Sequence, residues 1–216
     1  MCGRVRDPNV EEVSEIKLKQ LRGRFWREAL SGDRTPGKFA PVIICENGER
    51  IAEEMRWGLI PAWSESDLLE YSTYNARCER ISETATYRGA WRKGRRCLIP
   101  AEGFYERKHF FFLREAKLMM LAGLWDEWKN PIGGVLRTYT IITTAPNELV
   151  GRVHDRMPVI IGRADWAKWL GEEAASDDEL KALLKPHPAE RMDVSPPFGA
   201  KPKQSVVNEN SQLPLF

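Results

Sequence analysis

Four apolar, aromatic-rich runs follow one another between residues 97 and 144: Cys97 to Tyr105, Phe110 to Leu113, Leu118 to Trp125 and Tyr139 to Thr144. Short runs of β-branched and aromatic residues, separated by polar ones, read as strands. Upstream, Val42-Ile43-Ile44-Cys45, then Asn47-Gly48, then Ile51 predicts a hairpin, because Asn-Gly suits a type I′ turn. Residues 55–63 read as a strand running into a surface loop, and Val159-Ile160-Ile161 as a further short strand. Helices are expected over 9–25, where Val10, Val13, Leu18, Leu21 and Phe25 share a face, and over 82–91, 164–170 and 178–184. The order mixes strands and helices without βαβ regularity, so the class is α+β: a mixed, largely antiparallel β core flanked by helices. The expected division is one domain over 1–195 and a flexible tail over 196–216, rich in Pro, Lys, Ser, Asn and Gln.

Composition mostly excludes. With 42% hydrophobic and 30% charged residues the chain reads as soluble and globular. Thirty-three Lys plus Arg against 31 Asp plus Glu leaves +2, which gives no global reason to expect a nucleic-acid or membrane partner. The distribution is less even: residues 76–96 hold seven basic against two acidic side chains, and 163–184 hold three against six. No apolar run approaches the length of a membrane span and Met-Cys-Gly-Arg is no secretory signal, so the expectation is a cytoplasmic protein with reduced thiols and no membrane partner. Cys2, Cys45, Cys78 and Cys97 form no C-x-x-C pair, and His109, His154 and His187 complete no zinc spacing, so no metal is expected. Cys45, Cys78 and Cys97 read as small buried hydrophobes, and Trp57, Trp125 and Trp128 as core. Gly32-x4-Gly37-Lys38 imitates a phosphate loop but continues into Phe39 where Ser or Thr must hold magnesium. The basic run Arg92 to Arg96 reads as a solvated loop.

Cys2 stands apart. Removal of Met1, which a small second residue permits, would give it a free α-amine beside its thiol. An α-amine titrates at about 7.7–8.0, so a useful fraction is nucleophilic at neutral pH. Amine and thiol on adjacent carbons can trap an aldehyde, first as an imine and then as a five-membered thiazolidine. The thiol alone could instead attack an acyl group, as in a cysteine peptidase.

The surrounding blocks decide between ordinary and chemical roles for this cysteine. They are Met1-Cys2-Gly3-Arg4, Trp57-Gly58-Leu59-Ile60-Pro61-x-Trp63, Asn75-Ala76-Arg77-x-Glu79, Arg96-Cys97-Leu98-Ile99-Pro100-Ala101-x-Gly103-Phe104-Tyr105-Glu106, Ala122-Gly123-Leu124-Trp125-Asp126-x-Trp128, Ile141-Ile142-Thr143-Thr144-Ala145 and His154-Asp155-Arg156-Met157-Pro158. In this order over residues 1–161 they resemble the SRAP family, the SOS response-associated peptidase domain. The resemblance implies a DNA-damage protein that crosslinks through its N-terminal cysteine to abasic sites in single-stranded DNA. It also implies autoproteolytic exposure of Cys2, no cofactor, and a cytoplasmic, nucleoid-associated monomer.

By the same resemblance Cys2, Asn75, Glu106 and His154 are the catalytic residues. Glu106 matches a general acid that opens the closed sugar, His154 a second acid/base, and Asn75 a hydrogen-bonding group beside Cys2. Arg4, Arg77 and Arg156 match phosphate contacts, with Arg156 equally readable as an ion-pair partner of Asp155. Trp63 matches an aromatic that stacks on bases. Three places depart from the family: Lys38-Phe39-Ala40-Pro41 replaces an Asn-x-x-Pro segment, Arg107 follows Glu106 where Trp is usual, and after Val194-Ser195-Pro196 an asparagine-rich ending is replaced by Pro-Phe-Gly-Ala-Lys-Pro-Lys. The last residues, Gln212-Leu213-Pro214-Leu215-Phe216, resemble the peptide by which bacterial repair proteins bind the sliding clamp, with Leu215 and Phe216 as apolar anchors. The rival readings are a cysteine peptidase using Cys2 and a non-covalent single-stranded DNA or clamp adaptor.

Overall fold

The computed structural model describes residues 2–8, 13, 16, 18–22, 32–196 and 198. Its strands are β1 (Arg4–Arg6), β2 (Gln20–Arg22), β3 (Asp33–Arg34), β4 (Phe39–Glu46), β5 (Glu49–Trp57), β6 (Asn75–Arg77), β7 (Arg96–Ala101), β8 (Gly103–Glu106), β9 (His109–Leu113), β10 (Met119–Lys129), β11 (Val135–Thr144), β12 (Met157–Pro158) and β13 (Met192–Ser195). The helices α1 (Ala85–Arg92), α2 (Trp166–Leu170) and α3 (Asp177–Ala182) accompany short 3-10 turns among the described residues. The class is α+β. No helix among the described residues is long and apolar enough to cross a membrane.

The larger sheet runs β12-β11-β10-β7-β4-β5-β2, and a further parallel pairing of β11 with β5, through Thr138↔Arg56 and Tyr139↔Trp57, curls it into a barrel. Closure removes the exposed strand edges that an open sheet would leave. Strand alternation then sorts the apolar residues onto two faces. Val42 and Ile44, Cys97 and Ile99, Met119 and Leu121, and Tyr139 and Ile141 point inward to one core. Ile43, Leu98, Met120, Ala122 and Ile142 point outward, and there Trp91 of α1 and Trp166 and Trp169 of α2 cover them. Both faces are buried, which is why these strands read as continuous apolar runs. Gly123 marks how tightly the inward face packs: a Cβ there would lie 2.4 Å from Ile99 Cδ1 and 2.7 Å from the Thr140 carbonyl oxygen.

The second sheet, β13-β9-β8-β1-β3, lays Val5, Phe104, Phe111 and Val194 against the inward core. A buried ion pair ties it to the barrel. Arg34 on β3 bonds Asp7 just after β1, with both side chains under a tenth exposed, and donates to the Pro100 carbonyl at 3.1 Å.

The expected hairpin forms between β4 and β5, with Asn47 at φ 53 and Gly48 at φ 76. Other expectations need correction. Of the helix over 9–25, Val13 is helical but residues 20–22 form β2, paired parallel to β5; Val13 and Ile16 are buried in the helix-side core, and Val10 and Phe25 lie outside the described residues. The strand at 159–161 is instead Met157–Pro158; Ile160 adds an isolated bridge to Leu121. The helix over 178–184 starts at Asp177, because Ser176 caps it in a reciprocal arrangement with Glu179. Cys97 is fully buried but Cys45 and Cys78 only partly, and Trp125 is half-buried with Arg95 and Arg137 over its ring while Trp57 and Trp128 are core. The basic run is not wholly solvated: Arg95 pairs with Asp126 and Glu127, and Arg96 donates to the Trp169 carbonyl. Gln212, Leu213, Leu215 and Phe216 lie outside the described residues.

Candidate functional site

Strand register builds the site. Antiparallel pairing of β1 with β8 sets Arg4 opposite Tyr105, Val5 opposite Phe104 and Arg6 opposite Gly103. One residue further along the same register, Glu106 comes level with the short segment that holds Cys2. Phe104 and Glu106 share a face of β8, so the face that buries Phe104 carries the Glu106 carboxylate into the protein, 8% exposed. Tyr105 points the other way.

Cys2 is buried, with its thiol 3.9 Å from the Arg4 carbonyl oxygen. Burial, reinforced by the Glu106 carboxylate, pushes the thiol from 9.0 up to about 12, so it is neutral at physiological pH. Asn75 opens β6, which pairs parallel to β11 at Ile141. The Asn75 backbone is held by Tyr87 of α1, whose hydroxyl donates to its carbonyl at 3.0 Å. Its side-chain Nδ2 donates to the Cys2 carbonyl at 2.9 Å. Its Oδ1 is buried and accepts no hydrogen bond from the described residues.

His154 sits between a 3-10 turn and β12, with its backbone N–H on the Val150 carbonyl. Its Nδ1 has two competing neighbours: the Arg156 backbone N–H at 3.0 Å and the exposed Asp155 carboxylate at 2.9 Å. The backbone donor is fixed and the carboxylate is solvent-screened, so we assign Nδ1 as the acceptor. The Nε2 proton then faces Glu106 Oε1 at 3.8 Å. Cys2, Asn75, Glu106 and His154, distant in sequence, thus meet around the second residue of the chain.

The other expected residues divide. The Arg4 guanidinium lies over the Tyr105 ring at 3.8 Å and close to Asp33. Arg77 is exposed at the end of β6, two residues from Asn75. Trp63 is 60% exposed, with its indole N–H on the Ala85 carbonyl at the start of α1. Arg156 is engaged inside the protein, in two hydrogen bonds to Glu79 at 2.6 and 2.9 Å and one to the Thr143 carbonyl. Its ion-pair partner is therefore Glu79, not Asp155.

A family model described as SOS response associated peptidase (SRAP) matches residues 1–197. The chain belongs to the SRAP family. Among its SRAP relatives, the abasic site processing protein YoqW of Bacillus subtilis is 37% identical over 167 residues, covering 73% of this chain and 74% of that one. Abasic site processing protein HMCES of Xenopus tropicalis is 31% identical, covering 91% of this chain and 73% of its own. A crystal structure of a Bordetella bronchiseptica protein superposes with a TM-score of 0.77 at 26% identity, covering 89% of this chain and 98% of that one. In this SRAP chain two contributors went unread in the sequence. Tyr105 holds the guanidinium groups of both Arg4 and Arg6, and Glu79 holds Arg156. The signal for Tyr105 was available, since alternation with the buried Phe104 and Glu106 turns it outward.

Proposed function

We propose that the chain crosslinks abasic sites in single-stranded DNA through a thiazolidine on Cys2, once Met1 has been removed. The observation that carries this reading is the convergence of Asn75, Glu106 and His154 on the one residue that can offer an amine and a thiol together. The names of the curated relatives, abasic site processing proteins, agree with it. Glu106 donates a proton to the ring oxygen and its carboxylate takes up the anomeric hydroxyl proton, which opens the closed sugar to its aldehyde and leaves the acid protonated for the next step. The α-amine adds to the carbonyl carbon, and the resulting hydroxyl leaves as water with a proton from the Glu106–His154 pair, giving the imine. The thiol then adds across the C=N bond: sulfur bonds to carbon and the thiol proton ends on nitrogen, so the ring closes without a further reagent. The α-amine, titrating at about 7.7–8.0 once Met1 is gone, is the first nucleophile. In this reading Asn75 Oδ1, buried and unpaired among the described residues, accepts the amine N–H. Arg4 and Arg77 contact phosphates and Trp63 stacks on a base, whereas the engagement of Arg156 with Glu79 assigns it to holding the site.

The test is incubation of the purified protein with single-stranded DNA bearing one abasic site, read by denaturing gel and intact mass. A heat-stable adduct that is absent in Cys2→Ala and labile in Cys2→Ser is expected, because serine leaves the imine but not the thiazolidine. A normal adduct from Cys2→Ala overturns the reading, and cleavage of unrelated proteins would favour the peptidase. The sliding clamp is the second partner in this proposal, held through Gln212, Leu213, Leu215 and Phe216. Deleting residues 212–216 should abolish clamp pull-down, and undiminished capture removes the clamp from the reading.

A further inference from the structure

The hairpin that carries Glu106 turns through Arg107 and Lys108, since Glu106 pairs with His109 across it. Arg107 sits at φ 54, in the left-handed region that side chains with a Cβ disfavour. The chain's other two-residue hairpin, between β4 and β5, fills its loop with Asn47 and Gly48, residues that tolerate positive φ. The turn beside Glu106 therefore carries a residue that turn chemistry selects against. Nothing in the described fold compensates for it. Arg107 is exposed, and its side chain makes no ion pair or hydrogen bond with another described residue. Arg34, Arg50, Arg95, Arg137 and Arg156, by contrast, all grip carboxylates. Arg107 directly follows Glu106, the last residue of β8.

We infer that Arg107 binds a backbone phosphate of the single strand next to the reacting sugar, an inference that rests on the crosslinking reading. A sugar held at Glu106 has a phosphate on each side, within one nucleotide. The residue after Glu106, raised on a tight hairpin, meets the first of them. A planar guanidinium suits that task because it bonds two phosphate oxygens at once.

The test is noncovalent binding to undamaged single-stranded DNA on a Cys2→Ala background, followed by fluorescence anisotropy across salt concentrations. Losing one phosphate contact shrinks the slope of log K against log salt by about 0.7 for a single strand. Arg107→Gly should show that loss and yet melt at a higher temperature, since glycine relaxes the positive φ. Arg107→Lys should keep the slope. A glycine variant that melts higher and keeps the full slope confines Arg107 to the turn and overturns the inference. Intact binding with no adduct from the Cys2-bearing protein overturns the crosslinking reading alone, while absence of single-strand binding overturns both.

Discussion

Asn75 shows how one side chain can matter more to chemistry than to stability. Its amide makes one hydrogen bond, to the Cys2 carbonyl, and leaves its buried oxygen without a partner in the described fold. A satisfied buried hydrogen bond contributes about 1 kcal/mol and an orphaned buried acceptor costs about as much, so the two nearly cancel. Asn75→Ala also leaves the buried Cys2 carbonyl without this donor, so the unfolding free energy should fall by about 1 kcal/mol. The same substitution frees the Cys2 segment and removes the acceptor for the amine. Adduct formation should slow about tenfold, equivalent to ~1.4 kcal/mol in the barrier. Urea unfolding and single-turnover gels measure the two quantities separately. A variant that crosslinks at the normal rate would remove Asn75 from the chemistry, and one that fails to fold would reverse the stability argument.

At the scale of elements, what could be read from the residues depended on whether an element buries apolar side chains in a regular pattern. β7, β10 and β11 were legible because both of their faces are buried and they carry long apolar runs. The β4–β5 hairpin was legible through Asn47-Gly48. β2 and β6 were not, since each is three residues long and is recruited by parallel pairing to a distant strand rather than by its own composition. The run Cys97 to Tyr105 reads as one strand but divides at Glu102, whose N–H bonds the Arg6 carbonyl, and its two halves enter different sheets. That division sends β8 to β1 and so brings Glu106 to Cys2. The pair Arg34–Asp7 secures the same junction from the other side, bridging β3, the end of β1 and β7. Family blocks identified the site residues, but Arg156 illustrates their limit: a block names a residue without naming its partner, and Glu79 is 77 positions away.

For the molecule as a whole, thiols and phenols buried in the core limit stability on the alkaline side. Burial lifts the Cys2 thiol from 9.0 to about 12, the Tyr139 phenol from 10.0 to about 12 and the Tyr87 phenol to about 12, and it raises Cys97 as well. Each group stays protonated in the folded chain at a pH where the unfolded chain has begun to lose its proton. Above pH 9 the unfolded state therefore binds fewer protons than the folded state, and the linkage relation makes stability fall as pH rises. The contribution is fully present below the ordinary thiol value of 9.0 and disappears as pH passes through the folded value of about 12. The melting temperature should therefore hold up to about pH 9 and then fall steadily, recovering on return to neutral pH. Thermal melts followed by circular dichroism in half-unit steps from about pH 7 to about pH 11 would show it. A melting temperature that stays level across that range would mean that water reaches these groups in the native state.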